Sequence, residues 1–175
     1  QLSDDGVIVL HPNGSHGPTY YQRYPAAFAR FTPACDTNQL EACTREQVVN
    51  VYDNTIVYTD HFLAKTIDLL KKNNKKFNTA MVYMSDHGES LGENNLYLHG
   101  LPYLIAPQVQ THIPLLVWLS SGKTAEAKIN KTCLQQNSAA PMSHDNFFHS
   151  VLGLTGVATT AYDARLDIFA TCHLR

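Results

Sequence analysis

The chain has 175 residues, with 13 Lys+Arg against 15 Asp+Glu and a formal net charge of −2. That length suits one domain with a sizeable core, and so balanced a charge argues against the basic footprint that marks nucleic-acid binding. No uninterrupted apolar run approaches the ~18–20 residues of a membrane span, and "QLSDDGVIVL" at the start lacks the basic region and small-residue cleavage site of a signal peptide.

The start also lacks an initiator Met and enters an apolar run almost at once, so the chain reads as a piece of a longer protein. Residues 6–11, "GVIVLH", are β-branched and lead into the glycine-rich "PNGSHGP", which predicts a buried strand feeding a loop. The aromatic, proline-punctuated segment 19–45 predicts mostly irregular structure. From Glu46 the pattern changes: Val48, Tyr52, Ile56, Leu63, Ile67 and Leu70 recur at helical spacing, with Thr44 as N-cap and Asn73–Asn74 as the stop. The "KKNNKK" run at 71–76 fits the end of that helix, where lysines complement the negative end of the dipole.

"TAMVYMS" (79–85) predicts a second buried strand and "IPLLVWLS" (113–120) a third, followed by a polar loop, "SSGKTAEAK". "HDNFFHSVLGLTG" (144–156) predicts a helix capped by His144 and Asp145 and closed by Gly153 or Gly156. This alternation is that of a three-layer α/β/α sandwich with a largely parallel sheet, in one domain.

None of the four cysteines sits in a CxxC pair, which argues against a zinc knuckle. Cys35 and Cys43 bracket the polar "DTNQLEA", a loop whose closure would stabilise by about 2.5 kcal/mol. The alternative is four unpaired thiols. The even number favours disulfides and an oxidising compartment.

Ligands of open α/β sheets bind beyond the carboxyl ends of strands, and two predicted strands end in glycine-rich loops bearing histidines: "VLHPNGSHG" and "SDHGESLGENNLYLHG". Asp86 and His87 are adjacent, so they converge only if the chain turns there. Gly88 is expected to supply the turn by taking φ > 0. A carboxylate beside an imidazole suits Zn²⁺, whose catalytic sites keep three protein ligands, so a further ligand must come from elsewhere. His16 in "GSHGP" and His99 in "YLHG" are candidates to contact a phosphate, shuttle a proton or bind a second metal. Glu93 and His11, His61, His112, His144, His149 and His173 read as structural or exposed. No Gly-x-Ser-x-Gly elbow is present, which weighs against a serine nucleophile.

"VIVLHPNGSHGPTYYQRYP", "FTPACDTNQLEAC", "VNVYDNTIVYTDHFL", "SDHGESLGENNLYLHGLPYLIAP" and "HIPLLVWLS" together resemble the phosphoethanolamine transferases of lipid A, which include the mobile colistin-resistance enzymes. That family lies in the alkaline-phosphatase/sulfatase superfamily. The resemblance implies an alkaline-phosphatase-like (sulfatase) fold, present as a partial domain. Residues 1–175 would be the C-terminal part of a periplasmic catalytic domain, with a membrane domain upstream anchoring a monomer in the inner membrane. It implies zinc held by Asp86 and His87, with His16, His99 and Glu89 on the substrate or around a second metal. It pairs Cys35 with Cys43, and the economical assignment of the remaining Cys133 and Cys172 is to each other. The implied reaction moves phosphoethanolamine from phosphatidylethanolamine to a lipid A phosphate and confers polymyxin resistance. The family's nucleophile is a threonine on an upstream turn; Thr19, Thr55 and the other threonines here do not match its motif, so this chain alone is expected to be inactive. Two alternatives stand beside this reading: a sulfatase or phosphatase of the same superfamily, though "ACDTNQ" does not fit a Cys/Ser-x-Pro-x-Arg segment, and an inactive metal-binding fragment.

Overall fold

The computed structural model describes residues 5–174. The chain divides into two units, Gln1–Thr66 with Tyr83–Leu116, and Ile67–Val82 with Val117–Arg175. Among the described residues, no helix is long and apolar enough to cross a membrane.

The first unit is organised by helix α1, Arg45–Asn73. Its start is a reciprocal cap: the Gln47 amide donates to Thr44 Oγ1 at 3.2 Å, and Gln47 Oε1 accepts from the Thr44 amide at 2.9 Å. Tyr20, Cys35, Leu40, Val48 and Val51 form the core of this unit. Asn54, fully buried, makes the irregular segment before the helix definite. Its Oδ1 accepts from the amides of Arg30 and Phe31, both at 2.8 Å, and its Nδ2 donates to Phe31 O at 3.0 Å and Tyr24 Oη at 3.2 Å. A buried amide saturated in this way fixes a loop that has no ladder of its own.

Residues 6–11 do not form the strand their composition predicts. Val7, Ile8, Val9 and Leu10 are 57–84% exposed, and no strand lies beside them among the described residues. A strand is a pairing, and β-branched composition alone cannot supply its partner.

Strand β1, Ala80–Met84, is where "TAMVYMS" predicts it. A short hairpin follows, made of β2 (Ser90–Leu91) and β3 (Tyr97–Leu98). After α2 (Gln108–Thr111) comes β4 (Leu115–Leu119), which pairs with β1. The Ser85 amide donates to Pro114 O and the Ser120 amide to Thr79 O. One strand's positions rise as the other's fall, so this pair is antiparallel and departs from the parallel pairing expected.

In the second unit, Leu119, Ile129, Leu154 and Phe169 form the core. The polar "SSGKTAEAK" is helical where a loop was expected: α3, Ser121–Glu126, begins because Ser120 accepts from the Lys123 amide at 3.0 Å. Helix α4 (Lys131–Gln136) is capped by Asn130, and α5 spans His144–Thr155. The cap of α5 is Ser143 with Asn146, in place of His144 and Asp145, which occupy the first turn. Gly156 closes it at φ +68°, a left-handed conformation glycine adopts without strain.

Cys35–Cys43 and Cys133–Cys172 are both disulfides, with 8 and 39 residues of separation. Chain-entropy arithmetic gives about 2.5 kcal/mol for the shorter loop and about 4 kcal/mol for the longer. Denaturant titration should therefore show a larger loss for the Cys133→Ser/Cys172→Ser double variant than for Cys35→Ser/Cys43→Ser. Equal losses would contradict this assignment of the stabilisation.

Candidate metal and substrate site

The site is built inside the first unit from three pieces of chain. The first follows β1. Ser85 Oγ donates to His87 O at 2.8 Å, and the Gly88 amide donates to Gln110 O at 2.9 Å. Gly88 does not take positive φ, contrary to expectation. It is glycine for a different reason: a β-carbon here would collide with the Val109 carbonyl oxygen and stand 3.3 Å from Gln110 Cα. Close backbone approach, rather than a left-handed turn, requires the missing side chain.

The second piece is the hairpin. Ser90 opposes Leu98 and Leu91 opposes Tyr97, so the next rung outward brings Glu89 opposite His99. Glu89 Oε1 lies 3.1 Å from His99 Nδ1. His99 is set between two left-handed residues, Leu98 at φ +64° and Gly100 at φ +103°. The leucine conformation is one that a bulky side chain rarely adopts. Glu93 is engaged within the hairpin, where Oε2 accepts from the Leu91 amide at 2.7 Å.

The third piece carries His16. Its amide donates to Asn13 O, its carbonyl accepts from Arg23 Nε at 3.1 Å, and its neighbour Ser15 accepts at Oγ from Thr55 Oγ1 at 2.6 Å. The following amide, that of Gly17, donates to Glu89 Oε1 at 3.3 Å.

These pieces bring one ligand atom each of His16, His87 and His99 within 4.8 Å of one another. The His87 and His99 rings are stacked with centroids 3.7 Å apart, and His16 is 5.1 Å from His99. Two tautomers follow from the partners. The Gly88 carbonyl can only accept, so His87 Nδ1 at 3.0 Å carries the proton, and Glu89 takes the same role for His99. In its neutral form each ring then keeps a lone pair on Nε2, the arrangement of a metal-ligating histidine. Asp86 is exposed. Its Oδ1 accepts from the His87 amide at 3.1 Å, and its Oδ2 stands 3.7 Å from His87 Nε2. Two donors ~2.1 Å from a tetrahedral zinc would be about 3.4 Å apart. The Asp86–His87 pair therefore fits Zn²⁺, and His87 also belongs to the histidine trio.

Sequence reasoning missed the layer behind Glu89. Tyr20 is fully buried, packs edge-on to Tyr52 at 5.6 Å, and directs its hydroxyl at the Glu89 side. Burial, and then the charge of Glu89, raise the pKa of both tyrosines above the usual value. Tyr20 lies 69 positions from Glu89 along the chain, and although it falls within "VIVLHPNGSHGPTYYQRYP", nothing local marks it as a partner of that carboxylate.

A model of the sulfatase family matches residues 1–157. The phosphoethanolamine transferase EptA of Salmonella typhimurium is 55% identical over 173 residues, covering 98% of this chain and 32% of that protein. The solved soluble domain of lipooligosaccharide phosphoethanolamine transferase A from Neisseria meningitidis superposes with a TM-score of 0.88 at 48% identity, covering 93% of this chain and 49% of that one. The C-terminal periplasmic domain of the phosphoethanolamine transferase EptC from Campylobacter jejuni gives 0.87 at 47% identity, covering 96% and 52%. The chain thus spans about a third of the length of the Salmonella relative, and the sulfatase-type α/β fold expected of it is the fold of its solved neighbours.

Proposed function

The chain belongs to the sulfatase family, and from that premise we propose that it is the C-terminal part of the periplasmic catalytic domain of a phosphoethanolamine transferase. Phosphatidylethanolamine is the donor and a lipid A phosphate the acceptor; the modified lipid is less anionic and binds polymyxins less well. The observation that carries this reading is the convergence of His16, His87 and His99 with Asp86 at the rim. Asp86 and His87 hold the zinc, which supplies charge stabilisation at the transferring phosphoryl group. His16 and His99 face the substrate, where an imidazole can protonate a leaving oxygen near neutral pH. The nucleophile is a threonine from outside these residues, and the membrane anchor lies there too. The two disulfides favour an oxidising compartment such as the periplasm.

The test is mass spectrometry of lipid A from cells expressing the full-length protein that carries this chain. Lipid A bearing phosphoethanolamine, together with reduced polymyxin susceptibility, is the expected result. Unmodified lipid A with release of the headgroup to water would overturn the reading in favour of a hydrolase of the same family.

A further inference from the structure

We infer that Glu89 is a positioning residue, which holds the His16 loop and the His99 ring with one carboxylate and acts on the reaction only through them. The proposed transferase function supplies the reaction, while the geometry stands apart from it. Glu89 Oε1 accepts from the Gly17 amide, the residue after His16, and from His99 Nδ1. A single oxygen therefore ties two segments that lie more than 80 positions apart in sequence. The side chain is 3% exposed and its Oε2 is sealed from solvent.

The back of the carboxylate is equally particular. Glu89 Oε2 and Tyr20 Oη are the two buried side-chain polar atoms without a hydrogen-bond partner among the described residues. They belong to neighbouring groups, since the charge of Glu89 bears on the Tyr20 hydroxyl, second only to burial. Tyr20 stays protonated and is the donor available to that oxygen. Gly17 completes the fit, because a β-carbon there would collide with Leu98 and approach Tyr20 Oη at 2.6 Å. Glu89 also borders a hollow of about 420 Å³ with Tyr52, Leu91, Val109 and His112. A direct role for its charge toward a ligand in that hollow is the rival that the test must separate.

Two substitutions separate them in the full-length protein. Glu89→Gln keeps an oxygen for the Gly17 amide and for His99 Nδ1–H but removes the charge, whereas Glu89→Leu removes the acceptor altogether. Loss of the group that orients a site histidine typically costs about 10–100-fold in activity. E89L is expected to show that loss in kcat, and E89Q to recover to within about tenfold of wild type. The donor KM should stay within about twofold in both. The signature is the ¹⁵N spectrum of histidine-labelled, metal-free protein: His99 protonated on Nδ1 in wild type and E89Q, and a tautomer mixture in E89L. E89Q as inactive as E89L, a donor KM that rises while kcat holds, or an unchanged His99 tautomer in E89L would each overturn the inference. Failure of wild type to modify lipid A would instead remove the proposed function, and the metal-free spectra would still decide the role of Glu89.

Discussion

Full-length protein carrying His87→Ala is expected to retain no zinc at this site and to leave lipid A unmodified. His87 is the residue common to both groupings: its Nε2 stands 3.7 Å from Asp86 Oδ2, and one of its ring nitrogens lies within 4.8 Å of ligand atoms of His16 and His99. Removing it breaks whichever set holds the metal. Metal-ion stabilisation of a phosphoryl transition state is worth several kcal/mol, so a fall on the order of a thousandfold or more is expected. Asp86→Ala should act in the same direction. The fold should survive, because Asp86 is largely exposed and the His87 side chain is 29% exposed, so neither anchors the core. Zinc content by elemental analysis and lipid A by mass spectrometry check this together. Normal zinc and normal modification in H87A would sink the metal assignment.

Gly88→Ala should be the most damaging change that touches no candidate ligand. The added β-carbon would overlap the Val109 carbonyl oxygen and sit 3.0 Å from Val109 C. Both are backbone atoms, which cannot rotate aside as a side chain would. The bond from the Gly88 amide to Gln110 O must lengthen, and His87 and Glu89 move with it. Overpacking of this kind costs about 1–3 kcal/mol in stability, and displacing catalytic groups by about 1 Å costs on the order of 10²-fold in rate. Gly100→Ala is the instructive comparison. Gly100 has φ +103° and open space around its Cβ position, so alanine there meets backbone strain of roughly 1–2 kcal/mol without a collision. Thermal melts and transfer rates of the two variants distinguish the mechanisms. A G88A protein with wild-type melting temperature and rate would show that the Val109 contact constrains nothing.

Much of this was legible in the sequence wherever the cause is local. The Thr44–Gln47 cap and the periodicity from Val48 mark α1 because a helix draws its bonds from residues three and four positions away. The same locality should have revealed Ser143, since Ser143 and Asn146 form a capping box. The apolar character of 79–85 and 113–120 marked two strands but not the direction of their pairing, which no single strand encodes. For residues 6–11 composition marked an apolar run, but no strand lies beside it among the described residues, and a strand exists only where another pairs with it.

The amino-acid sequence by itself determined the chemistry available here: Asp86 next to His87, histidines in glycine-rich loops, and carboxylates within a few residues of them. Tertiary structure decided which of these meet. The two-residue strands of the hairpin are too short to show alternation, yet their register places Glu89 across from His99. Packing against the 109–110 backbone, rather than a turn, explains Gly88. His16 joins the site through its own bond to Arg23 and through its neighbours, Ser15 bonded to Thr55 and Gly17 to Glu89. Ring identity is a property of one position. Convergence of one ligand atom from each of three histidines within 4.8 Å is a property of contacts between distant segments, and only the folded chain sets those distances.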